Sequence, residues 1–134
     1  MDYFVGLDVS LRSVALCIVD ARGKVCLERE LPCEVDDIAD CLDAFEHSIE
    51  RIGFEAGALS QHLFFGLQDK GFDIVCMEAR QVSAALSAMR NKTDKTDAKG
   101  IAQILRTGWF SPVHMKRREA HGLPPRERIP VSRK

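Results

Sequence analysis

Apolar residues arrive along this chain in two rhythms. Tyr3 to Asp8 is apolar apart from its closing carboxylate, and Ser13 to Asp20 is almost continuously apolar, the pattern of a buried central strand. Ala21-Arg22-Gly23-Lys24 is turn chemistry. Val25 to Leu31 then alternates, with Val25, Leu27, Arg29 and Leu31 on one side and Cys26, Glu28 and Glu30 on the other. These three segments predict an antiparallel meander. After Cys33 the period changes: Val35, Ile38, Ala39, Leu42, Phe45 and Ile49 recur every three or four positions, and acids open the segment as a helix dipole favours. A short strand is expected over 51–57, a helix through Leu59, Leu63, Phe64 and Leu67 closed by Lys70-Gly71, and a strand over 73–77. A helix over 79–90, a charged loop and a last helix from about Asp97 to Arg106 complete the pattern, which Gly108 to Pro112 breaks.

Three meandering strands followed by βα crossovers require a mixed sheet with helices packed on it. The predicted class is α/β, with the element order of the ribonuclease H-like fold. At 134 residues with 46% hydrophobic content, the chain suffices for one such domain. Beyond Met115 the periodicity stops and prolines stand among like charges. The expected division is a folded unit over 1–114 and a basic, disordered tail over 115–134.

Charge adds a contrast between these parts. The net charge of −1 does not announce a nucleic-acid binder, but residues 115–134 carry +5, which leaves −6 on residues 1–114. The five cysteines form no C-x-x-C pair and have no histidine at ligand spacing, so reduced thiols, mostly in the core, are expected rather than a zinc site or disulfides. Neither a signal peptide nor an apolar run of about 20 residues is present, so the expected setting is cytoplasmic, without a membrane.

The candidate chemistry lies in four acids that close apolar strands or open a helix: Asp8, Glu55, Asp94 and Asp97. Two-metal phosphodiester chemistry needs several carboxylates, because hard cations take oxygen ligands and a pair of ions clamps the attacking and leaving oxygens. Asp8, on a central strand, is the candidate to bridge the ions. Glu55 stands between Gly53 and Gly57, which permit close approach of a ligand or mark a bulge. Asp94 and Asp97 are three apart and share a face if both open a helix. N-capping by Thr93, Asp94 or Thr96 accounts for one acid there but not for two beside Lys92, Lys95 and Lys99, which are candidates to touch phosphates. Trp109 and Phe110 read as packing anchors, His47 and His62 as helical residues, and Met77, Met89 and Phe64 as core.

Gly6-Leu7-Asp8-Val9-Ser10, Phe54-Glu55-Ala56-Gly57, the block Asn91-Lys92-Thr93-Asp94-Lys95-Thr96-Asp97-Ala98, and Gly108-Trp109-Phe110-Ser111-Pro112-Val113-His114 closely resemble the N-terminal domain of DEDD-type insertion-sequence transposases, the group that includes the Piv/MooV DNA invertases. The resemblance covers roughly residues 3–116. It implies a RuvC-like ribonuclease H fold and a metal-binding catalytic quartet of Asp8, Glu55, Asp94 and Asp97 for Mg²⁺, or Mn²⁺. It further implies action on DNA of an insertion sequence and its target, a structured guide RNA from the element, and a homo-oligomer. Members carry a C-terminal domain with a nucleophilic serine; Ser111 and Ser132 do not stand in that motif, and a truncated copy is the expectation. The alternative is a non-catalytic, nucleic-acid-binding remnant whose basic tail makes the contacts. The sugar-kinase fold also opens with Gly-x-Asp, but Val9 to Arg12 lack the glycines that surround nucleotide phosphates.

Overall fold

In a computed structural model of the chain, the described residues are 2–89 and 97–115. They form strands β1 (Tyr3–Val9), β2 (Ser13–Asp20) and β3 (Val25–Pro32), helix α1 (Val35–Ala44), strand β4 (Ile49–Glu55), helix α2 (Ser60–Asp69), strand β5 (Ile74–Met77) and helices α3 (Ala79–Met89) and α4 (Asp97–Thr107). The sheet runs β3-β2-β1-β4-β5. β1 pairs antiparallel with β2, and β2 with β3, whereas β1 with β4 and β4 with β5 are parallel. The meander and the crossovers thus share one mixed sheet, as the two rhythms predicted.

Strand alternation divides the core. Val5 and Leu7 of β1, Ile52 and Phe54 of β4, and Ile74 and Cys76 of β5 join a cluster with Ile38 and Leu42 of α1 and Leu63 and Leu67 of α2. Phe4 of β1 and Val75 and Met77 of β5 point the other way, into a second cluster with Ile101, Ile104 and Leu105 of α4 and Val82 of α3. Helices therefore cover both sheet faces. β1 is central and has no water-facing side, which is why its run is apolar throughout.

α4 lies across the middle of the sheet and touches it backbone to backbone. A Cβ at Gly6 would collide with the Ala98 carbonyl oxygen and the Ala102 nitrogen and stand 3.0 Å from the Ala102 Cα. Ala98 and Ala102 on the helix and Gly6 on the strand leave no side chain between the two elements, and this brings the first residue of α4, Asp97, down to the sheet. At its other end the helix is tied to the β2–β3 turn: Gln103 Nε2 donates to the Gly23 carbonyl at 2.7 Å, and Arg106 Nε donates to Gln103 Oε1 at 3.0 Å. Gly23 takes a positive φ of 89° to make that turn.

Several boundaries differ from those the periodicity predicts. The α1 stripe does not extend to Phe45 and Ile49: the backbone is extended at Phe45, and Ile49 opens β4 opposite Tyr3. His47 accordingly lies between helix and strand, stacked on Tyr3 at 4.9 Å, while His62 is in α2 as expected. Trp109 is 74% exposed rather than a packing anchor among the described residues, whereas Phe110 packs against the core. Met77 is buried and Phe64 half-buried. All five cysteines are free; Cys17 and Cys76 are buried, Cys33 and Cys41 half-buried and Cys26 exposed. Among the described residues no helix is long and apolar enough to cross a membrane. The Met89 side chain and residues 116–134, and with them nearly all of the expected basic tail, lie outside the described residues.

Candidate active site

Parallel pairing sets the site. β1 and β4 run in register through Leu7↔Phe54, so Asp8 and Glu55, the next residues on each, emerge side by side at the carboxyl ends of adjacent strands. With period two, Asp8 falls on the face of Gly6 and Glu55 on the face of Gly53, the face that α4 covers. Asp97 begins α4 at the same edge. Three segments far apart in sequence therefore deliver carboxylates to one place, through an antiparallel hairpin partner, a crossover and a helix start.

The electrostatics of the site follows from that proximity. The Asp8 carboxyl is pushed above the usual aspartate range, first by burial and then by the negative charge of Asp97, while the Asp97 backbone N–H donates to it and partly offsets the rise. Glu55 is raised by burial first, then by Asp8 and Asp97. Each carboxylate thus sits where a second negative charge is unwelcome, the field that a cation relieves. Lys99, the third residue of α4, is exposed. Asp94, Lys92 and Lys95 lie outside the described residues.

This coupling has a measurable consequence. For an acid whose folded-state pKa is raised, the folded state favours the protonated form. The resulting stability is fully present below the unfolded-state pKa and is lost as pH rises through the folded one. In EDTA, wild-type protein is therefore expected to lose more stability than a Glu55→Gln variant as pH climbs from the carboxylate range towards 7. Urea melts at a series of pH values check this; parallel curves would mean that Glu55 is not held near the other charges.

Neighbouring loops frame the carboxylates. A groove at this edge is lined by Asp8, Glu55, Val9, Leu11, Ala58 and Leu59, among others. Its β4–α2 side is fixed by Ser60, whose Oγ accepts from Gly57 N–H at 2.6 Å and donates to the Gly57 carbonyl at 2.8 Å. Glu78 follows β5 on this edge but spends its carboxylate on the Gln81 N–H, 2.7 Å away, as the cap of α3. The Glu-x-x-Gln spacing after an apolar strand was the available signal for that role. Leu11, 80% exposed at the groove, is the feature that reading for acids passed over.

The donor set suits a hard divalent cation: it is oxygen only, negatively charged and partly withdrawn from water. Among the described residues no three ligating side chains stand close enough to hold an ion as placed. Mg²⁺, however, takes only one or two protein carboxylates and fills its remaining positions with water and phosphate oxygens, so Asp8 with Glu55 or Asp97 fits that demand.

Comparison with known proteins bears on the family and the fold. The family of DEDD transposases of the IS110 type, described as transposase, matches residues 5–125. No match was found among curated proteins. Among solved structures, Thermus thermophilus RuvC in complex with a Holliday junction substrate superposes with a TM-score of 0.59 at 12% identity, covering 84% of this chain and all of that one. A second structure of T. thermophilus RuvC gives 0.58 at 13% identity, covering 83% and 99%. At these identities the likeness establishes the fold, which is RuvC-like and ribonuclease H-like.

Proposed function

This chain belongs to the DEDD transposase family, and from that premise we propose that it is the metal-dependent domain that acts on DNA phosphodiesters during transposition of an insertion sequence. The observation that carries the reading is the convergence of Asp8, Glu55 and Asp97 at one sheet edge, where burial first and neighbouring negative charge second raise the carboxyls of Asp8 and Glu55. The T. thermophilus RuvC structure holds a Holliday junction, and DNA is the corresponding substrate proposed here.

Asp8, Glu55 and Asp97, with Asp94 from outside the described residues, would hold Mg²⁺ or Mn²⁺. Such ions supply charge neutralisation at the attacking and leaving oxygens of a displaced phosphodiester. The strand ends keep Asp8 and Glu55 from following the ligand, which makes them a fixed template. The Asp97 N–H holds the Asp8 carboxylate in one orientation. Lys99, with Lys92 and Lys95, is assigned to backbone phosphates, where a cation positions the duplex without reading sequence. An element-encoded guide RNA, a homo-oligomer and a C-terminal serine domain are further parts of the proposal that follow from family membership.

The test is nicking of supercoiled plasmid by purified protein in Mg²⁺ or Mn²⁺, beside Asp8→Asn and beside the chain extended by a family serine domain. Nicking that needs the metal and vanishes in the variant is the expected result. Cleavage by the extended chain alone would assign the nucleophile to the serine domain. Salt-sensitive DNA binding that persists without any cleavage in either form, and that disappears when residues 117–134 are deleted, would replace the catalytic reading with the binding-remnant one.

A further inference from the structure

The tip of the β1–β2 hairpin is Ser10-Leu11-Arg12, and its Ser10 and Leu11 border the groove that holds the carboxylates. Leu11 is 80% exposed and lines the same groove as Asp8 and Glu55. A single exposed leucine is ordinary on a protein surface. This one is held out on a braced turn: the Ser10 N–H and the Ser10 hydroxyl both donate to the Ser13 carbonyl, each at 2.9 Å. Val9 and Val14 close the ladder directly below. Those bonds fix the backbone of the tip, and the groove that Leu11 lines also includes Ala58 and Leu59.

The groove therefore has two chemistries. Its carboxylates suit a phosphate bridged by cations, whereas the rest of its lining is mostly apolar beside Ser10 and Ser60 and, among the described residues, includes no Lys or Arg side chain. The ligand that presents a phosphate and a flat apolar face within one short span is a nucleotide taken out of its stack. Arg12, also exposed and without an ion pair among the described residues, follows the leucine on the tip.

We propose that this hairpin is a wedge: Leu11 packs against the face of the base beside the scissile phosphate and separates it from its stacked neighbour, while Arg12 contacts the adjoining backbone phosphate. Apolar wedges of this size part base steps, and the contacts that the distorted duplex allows offset the lost stacking. Unstacking here would swing the phosphate towards the carboxylates, so the hairpin would be a positioning device for the reaction. The inference rests on the DNA-cleaving reading above.

The experiment treats supercoiled plasmid with permanganate, which oxidises thymines that have lost a stacking neighbour, in the presence of full-length protein and Ca²⁺, with binding and nicking in Mg²⁺ followed in parallel. Wild-type protein is expected to expose reactive thymines near the nick, and Leu11→Ala to lower that reactivity about tenfold with little change in affinity or in its salt dependence. Leu11→Phe should restore it, which a merely structural leucine would not require. Arg12→Ala should instead flatten the salt dependence. Undiminished thymine reactivity in Leu11→Ala, or cleavage by wild-type protein without any reactive thymine, overturns the wedge and leaves the nuclease reading standing. Absence of both binding and nicking by the wild type overturns that reading and the wedge with it.

Discussion

Asp8→Asn is expected to bind Mg²⁺ about 100-fold or more weakly than wild type, at or beyond the upper end of what loss of even an outer-shell partner costs a metal site. It should also be the more stable protein in EDTA. Both outcomes come from one feature, the charge on a half-buried carboxylate facing Asp97. In the absence of a cation, near-neutral pH forces that carboxylate to ionise against burial and against its neighbour, which opposes folding. Asparagine removes the charge and keeps an oxygen to accept the Asp97 N–H, so the local hydrogen bond survives. Addition of Mg²⁺ should raise the melting temperature of wild type and leave the variant nearly unmoved, reversing or closing the gap between them. Calorimetric titration with Mg²⁺ and thermal melts in EDTA and Mg²⁺ check the two halves separately. Equal affinity in both proteins would remove Asp8 from the ligand set; a variant less stable than wild type in EDTA would show that the aspartate serves the fold first.

That Asp8 and Glu55 meet was legible because each ends an apolar run, and strands of one parallel pair end at the same edge. What the sequence could not convey is how closely α4 approaches. Gly6 reads as one more small residue in an apolar strand, and only the packing of Ala98 and Ala102 against it shows why no side chain is tolerated there. The path after α1 was hidden for a different reason. Phe45 and Ile49 continue the helical spacing because both are partly buried against the same cluster, but Phe45 does so from extended backbone and Ile49 from a strand. Periodicity reports which side chains are buried and not the route the chain takes between them. Trp109 shows the converse: its size suggested an anchor, yet Gly108, at a positive φ of 83°, turns the chain so that Phe110 packs in its place.

The approach of α4 makes Gly6→Ala the substitution with the largest expected effect on the fold. Its new methyl group meets backbone on the helix side, at Ala98 and Ala102, and backbone cannot rotate out of the way as a side chain can. β1 is held between β2 and β4 and cannot retreat either. The expected loss is about 3 kcal/mol, the upper end of ordinary overpacking, against about 1 kcal/mol for Gly53→Ala. At Gly53 the added carbon meets the Met77 Cε at 2.5 Å and the Leu105 Cδ1 at 3.1 Å, both ends of flexible side chains. Urea melts of the two variants separate these cases, and equal losses would refute the backbone contact. Gly6→Ala carries a second consequence that Gly53→Ala does not. Relief at Gly6 requires α4 to lift from β1, and lifting withdraws the Asp97 N–H and carboxylate from Asp8. Whatever fraction of Gly6→Ala protein remains folded should therefore respond to Mg²⁺ less than Gly53→Ala does, although neither glycine touches the ion. The spacing between strand and helix would then be set by an absent side chain, and the metal site would inherit its geometry from that absence.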